Sequence, residues 1–101
     1  MLDILSKLGD FKKKMEEIKT RIDAIYIDEQ SSDGKIKVTV NANRKVQSVF
    51  IDPSMVAEGN VEEIQETLEI VLNRALERAE GVSEMEMKAA GREMLPGFPG
   101  L

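Results

Sequence analysis

The chain has no cysteine and no histidine among its 101 residues. The first absence rules out disulfides, a thiolate nucleophile and thiolate metal sites, and it is compatible with a reducing compartment. The second removes the usual general base at neutral pH and most zinc sites. No apolar run approaches the length of a membrane span, and Asp3 interrupts the apolar start that a signal peptide would need, so a cytoplasmic address is expected. A glycine-rich phosphate loop is also missing. Glu29-x-Ser31-x-Asp33-Gly34 is spaced like the start of a calcium loop, but Val40 stands at the twelfth position, where a bidentate Glu is required. A hairpin turn explains it better. Glu62, Glu63, Glu66 and Glu69 could hold a carboxylate pair for acid–base work, yet such a run is ordinarily a solvated helix face. The expectation is therefore a protein with no enzymatic activity, metal, cofactor or small-molecule substrate.

What is present is a long amphipathic start. Met1, Ile4, Leu8, Phe11, Met15, Ile18, Ile22 and Ile25 recur in alternating three- and four-residue steps, the pattern of an a/d seam. With Met1 at a, Lys7, Lys14 and Arg21 fall at g and Lys12 and Lys19 at e, so cations line both margins of the stripe. A homodimeric coiled coil would set Lys or Arg against Lys or Arg across those margins in either orientation. The seam is instead expected to pack on the second helix or on the sheet of its own chain, with its first turns reaching beyond the body.

The heptad rhythm stops near Ile25, and Tyr26 to Ser32 is polar enough for an edge strand. Asp33-Gly34 is a strong hairpin signal of the two-residue type I′ kind. Ile36, Val38 and Val40 then alternate with polar neighbours, giving a strand with one buried face. After a turn at Ala42-Asn43-Arg44, Lys45 to Ile51 forms a third strand. Val46, Ser48 and Phe50 should share one face and Gln47, Val49 and Ile51 the other, so this strand is expected to be covered on both sides. Asp52-Pro53-Ser54 ends the sheet, with a short helical turn through Val56. Asn60 suits the N-cap of a second helix, and Val61, Ile64, Leu68, Val71, Ala75 and Val82, widened by Leu72 and Ala79, give its inner face. Gly91 is expected to stop it. Residues 95–101, Leu-Pro-Gly-Phe-Pro-Gly-Leu, read as neither helix nor strand, with docking and disorder both open.

The reading is one domain over residues 1–101, with a basic amphipathic helix at 1–26, an antiparallel sheet at 27–52, a second helix at 60–90 and a Pro/Gly-containing tail at 91–101. The formal charge is −5, which argues mildly against a nucleic-acid partner, but the charge is unevenly spread. Residues 1–45 carry 10 Lys/Arg against 8 Asp/Glu, and residues 46–101 carry 4 against 11. Two readings fit the basic margins. Either their lysines are solubilising flanks that lay their stems along the seam, or the Lys12-Lys13-Lys14 run and its neighbours form a phosphate-contacting arm.

Three stretches in order carry a family resemblance: Gly34 to Asn41 (G-x-I-x-V-T-V-N), Ile51-Asp52-Pro53, and Pro96-Gly97-Phe98. With the basic first helix and the acidic second one, the chain resembles the YbaB/EbfC family of bacterial nucleoid-associated proteins over nearly its whole length. The resemblance implies an α+β protomer with a long N-terminal helix, a three-stranded antiparallel sheet and a second long helix. It also implies a homodimer whose first helices project like the arms of a tweezer and hold duplex DNA. Carried over by charge, the DNA-binding residues would be Lys7, Lys12, Lys13, Lys14, Lys19 and Arg21. Low sequence specificity is expected, because phosphate contacts carry no base information and the arm has no aromatic or Asn/Gln array. The implied setting is the cytoplasm, on the nucleoid, in nucleoid organisation and gene regulation. The alternative is a protein-interaction or scaffold dimer that uses the apolar seam and the tail.

Overall fold

The computed structural model describes residues 2–94, and the docking or disorder of 95–101 lies outside them. Helix α1 spans Leu2–Asp23, strands β1, β2 and β3 span Tyr26–Gln30, Ile36–Asn41 and Val46–Ile51, a short α2 spans Pro53–Ala57, and α3 spans Val61–Met94. The three strands form one antiparallel sheet in the order β1-β2-β3. The architecture is α+β, with α3 laid over β1 and β2 and α1 folded back against α3.

The core lies between α3 and the sheet. Ile27, Ile36, Val38 and Val40 meet Val71, Ala75 and Ala79, all fully or almost fully buried, and Ile64, Leu68 and Leu72 close the margins. The alanines at 75 and 79 leave no bulk between helix and sheet, so α3 sits close. Ile18 and Ile22 extend this core into the α1–α3 seam.

Short polar motifs set the connections. Ser31 Oγ donates to Asp33 Oδ1 at 2.7 Å, and that oxygen also accepts the Lys35 N–H at 3.0 Å. These bonds hold the Asp33 carboxyl below its ordinary value. Gly34 N–H donates to Ser31 C=O, and only Gly34 in this turn has positive φ, at 72°. The loop is thus a four-residue turn followed by a left-handed residue, in place of the expected type I′ turn, which needs two.

The β2–β3 turn repeats the design, closed by Arg44 N–H to Asn41 C=O and followed by Arg44 itself at φ 62°. A side chain in that region costs about 1 kcal/mol that glycine does not incur. Arg44→Gly is accordingly expected to raise stability by about 0.5–1 kcal/mol, read as a higher urea midpoint at unchanged slope. Asn41, buried at the end of β2, ties this turn to α1. Its Oδ1 accepts the Lys45 N–H and its Nδ2 donates to the Asp23 carbonyl, one of the orphan carbonyls at the helix end.

Asp52 N–H closes the β2–β3 ladder on Lys35 C=O, and its carboxylate accepts the Ser54 N–H at 2.8 Å as the N-cap of α2. That bond lowers its pKa. Pro53 follows at the first helical position, where no N–H is needed.

Two further expectations are corrected. Gly91 does not stop α3, which continues to Met94; a glycine inside a helix costs only about 1 kcal/mol, and the Lys14–Glu93 ion pair ties down the last turn. The third strand is not covered on both sides. A bulge opposite Thr39/Val40 resets its alternation, so Val46, Val49 and Ile51 lie opposite Val40, Val38 and Ile36 on the helix-side face. Ile51 packs against the core, but Val46 and Val49 remain 48% and 47% exposed, and on the opposite face Phe50, beside Lys37, is 46% exposed.

The two sheet edges differ sharply. On β1 the outward carbonyls of Asp28 and Gln30 accept from Arg78 Nη1 (2.8 Å) and Arg74 Nη2 (3.4 Å), and Arg78 also pairs with Glu29 at 2.9 Å. That edge is blocked. On β3 the ladder alternation turns the N–H and C=O of Val49 and Ile51 outward, and Val46–Ile51 contains no charged residue or proline.

Candidate nucleic-acid interface

The buried Ile18 and Ile22 define the inner side of α1. At 3.6 residues per turn, Lys14 and Arg21 fall on the margin facing α3. Lys14 Nζ reaches Glu93 Oε2 at 3.1 Å, and Arg21 Nη2 reaches Glu86 Oε2 at 2.8 Å. The partners are seven residues apart on both helices and run in opposite directions, so α1 and α3 form an antiparallel arm. Both pairs are exposed enough to be weak, worth at most about 1 kcal/mol, but they commit these two cations to the arm's own structure.

The other four lysines are not so engaged. Lys12 and Lys19 lie on the opposite margin, two turns or about 10.5 Å apart, both exposed and without an ion pair among the described residues. Lys7 continues the Lys14–Arg21 line past the end of α3, where it too is unpaired among the described residues. Lys13 points to the back of the helix. The Lys12-Lys13-Lys14 run therefore splays around α1 instead of forming one patch, because neighbouring helical positions do not share a face. Acids border each line: Asp10 and Glu17 beside Lys7 and Lys14, Glu16 and Asp23 beside Lys12 and Lys19, with Asp23 accepting from Asn43 Nδ2 at 2.9 Å.

The arm differs from the body in charge. Residues 1–21 together with 81–94 carry 8 Lys/Arg against 7 Asp/Glu, whereas residues 22–80 carry 6 against 12. The acidity that weighs against nucleic acid sits mainly in the body. Lys88, not singled out by the sequence reading, is exposed on the arm portion of α3 and comes level with Lys19 in the register of the two ion pairs. Its signal in the sequence was the heptad match of Glu86 and Glu93 to Arg21 and Lys14, which places residues 81–94 in the arm. Among the described residues, no group of three acidic side chains is placed to hold a metal, and no helix is long and apolar enough to cross a membrane.

The model of the YbaB/EbfC DNA-binding family matches residues 1–94, which span both arm helices and the sheet. The chain belongs to that family. A nucleoid-associated protein of Flavobacterium johnsoniae is 40% identical over 101 residues, covering 100% of this chain and 93% of that protein. A nucleoid-associated protein of Chlorobium phaeobacteroides is 28% identical over 95 residues, covering 94% and 84%. The crystal structure of an uncharacterized Helicobacter pylori protein matches with a TM-score of 0.70 over 91% of this chain and 92% of that one, at 21% identity. That last likeness is one of fold. The YbaB/EbfC match includes the Asn41 and Asp52-Pro53 positions, whose roles here are the helix-end bond and the α2 cap.

Proposed function

We propose that this chain is a homodimeric, non-enzymatic DNA-binding protein of the nucleoid that grips duplex phosphates between paired first helices. The observation that carries the reading is the line of cations, Lys12 and Lys19, that make no ion pair among the described residues, on an arm of a YbaB/EbfC-family protein whose acidic charge sits mainly in the body. Lys7 and Lys13 add to the field around the tip, while Lys14 and Arg21 hold α1 on α3. Low sequence preference follows from the chemistry, since lysine–phosphate contacts do not read bases. A cytoplasmic place on the nucleoid and a part in its organisation and in gene regulation are in keeping with this.

The dimer is assigned to β3. Its free edge, uncharged sequence and half-exposed Val46, Val49 and Phe50 suit pairing with a second copy, whereas Arg74 and Arg78 occupy the β1 edge. Antiparallel pairing about Val49 would extend the sheet and set two arms on one particle.

Titration of random-sequence duplex across salt concentrations tests the reading. Binding should fall steeply as salt rises and should be nearly equal for unrelated sequences. A duplex that does not bind even at low salt would leave the scaffold dimer, for which the uncovered apolar stripe at the tip of α1 speaks. Lys14→Gln serves as an internal comparison: it should weaken duplex binding less than twofold, because Lys14 already faces Glu93.

A further inference from the structure

The tip of α1 carries apolar side chains that nothing described covers. Ile4, Leu5, Leu8 and Phe11 are 63%, 65%, 60% and 52% exposed, although they continue the stripe that is buried at Ile18 and Ile22. The reason is register. The residue numbers of both α1–α3 ion pairs sum to 107, which sets Met94 level with residue 13 and leaves the stripe from Phe11 to Ile4 beyond the described part of α3. We propose that this tip is a docking site for an acidic amphipathic helix of another protein, laid antiparallel to α1 as α3 is.

The covered half of the same seam shows what such a partner needs. On α3, Glu86 and Glu93 stand seven residues apart and pair with Arg21 and Lys14 at 2.8 and 3.1 Å, and Ala90 between them is buried. That is the heptad form of an acid at a margin position with apolar residues behind it. The tip continues the receiving side of this arrangement. Lys7 is the next member of the Lys14–Arg21 line, one heptad nearer the N-terminus, exposed and without an ion pair among the described residues. On the other margin Lys12 is exposed and likewise without an ion pair among the described residues, and Leu5 widens the apolar face. From Phe11 to Ile4 the stripe runs about 10.5 Å, or two helical turns. An apolar stripe bordered by cations accepts a helix with an apolar stripe bordered by anions, read through anchors at three- and four-residue spacing. A second α1 fits poorly, because its own margins are basic. The docking is independent of duplex binding, and its test needs no DNA.

The probe is an end-capped peptide of about 20 residues, long enough to hold a helix in water, with Glu at every seventh position and Leu one and four positions after each Glu. Titrated into the full chain, it should bind with a Kd at least tenfold lower than the same peptide carrying Lys in place of Glu, and amide shifts should fall at residues 4–12. Leu8→Ser and Lys7→Glu should each weaken binding at least tenfold. Both side chains are exposed, so helical circular dichroism should be retained. Ser6→Glu, on the far side of α1, should leave binding within twofold. Absence of binding, equal affinity for the two peptides, or binding that survives Leu8→Ser would overturn the proposal. So would a mass of the free chain that rises with concentration and falls in Leu8→Ser, which would give the stripe to a second copy. Leu8-dependent binding to anionic phospholipid vesicles in place of the peptide would give it to a membrane surface and overturn it as well.

Discussion

Charge reversal at Lys12 and Lys19 is expected to lower affinity for random-sequence duplex by a factor of 100 or more at low salt, while thermal unfolding stays nearly unchanged. Both side chains are exposed and make no ion pair among the described residues, so the folded state loses little when they go. The duplex loses two attractive contacts per arm and gains two repulsive ones, which in a dimer reverses four charges. A parallel Lys14→Glu change should act through the protein itself. It places a carboxylate against Glu93 at the end of the arm and should fray α3 there. If Lys14 mattered more for duplex binding than Lys12 and Lys19 together, the assignment of margins would be reversed. A gel-shift or anisotropy titration of the three proteins, with circular dichroism as the check on fold, decides between these outcomes.

The second large effect is at Val49. Val49→Lys should turn a dimer into a folded monomer, measured by mass in solution, because a charge on an open edge is an effective barrier to strand pairing. The side chain is 47% exposed in the protomer, so the substitution has room within the fold. Duplex affinity should fall about 100-fold as well, since one arm replaces two and the second engagement is no longer intramolecular. Ser48→Lys gives a useful contrast. Ser48 lies opposite Thr39 and its backbone bonds inward to β2, so its charge would stand on the open sheet face, away from the helix-side face that carries Val46, Val49 and Ile51. Equal dimerisation of Val49→Lys and the parent chain would move the interface elsewhere.

How much of this was legible in the sequence depended on how local the cause was. The α1 seam, the amphipathic β2 and the end of the sheet at Asp52-Pro53 rest on periodicity or on neighbouring residues, and they appear where the pattern placed them. The family resemblance was legible too, because its motifs occupy sites with local duties, such as Asn41 at the end of β2, whose Oδ1 accepts the Lys45 N–H of the following turn. The exposure of β3 was not. Its residues look apolar on both faces, and only the path of α3 over β1 and β2, with the bulge beside Val40, decides that they stay uncovered within the protomer. The blocked β1 edge depends on Arg74 and Arg78, 44 and 50 residues from the carbonyls they cap. The Lys12-Lys13-Lys14 run illustrates the same limit at the site. As a string it is one basic patch, but on a helix it is three directions, and the partner of Lys14 lies on α3.

The most direct test of the central claim is the salt dependence of duplex binding by the parent chain and by Lys12→Gln/Lys19→Gln. Each lysine–phosphate contact contributes about 0.9 to the slope of log affinity against log salt concentration. Two lysines on each of two arms should therefore make the slope shallower by roughly three to four, to the same extent for unrelated sequences. A parent chain with a steep slope and a variant with a shallow one is the predicted result. Identical slopes, or a parent chain that fails to bind at low salt, would contradict the account.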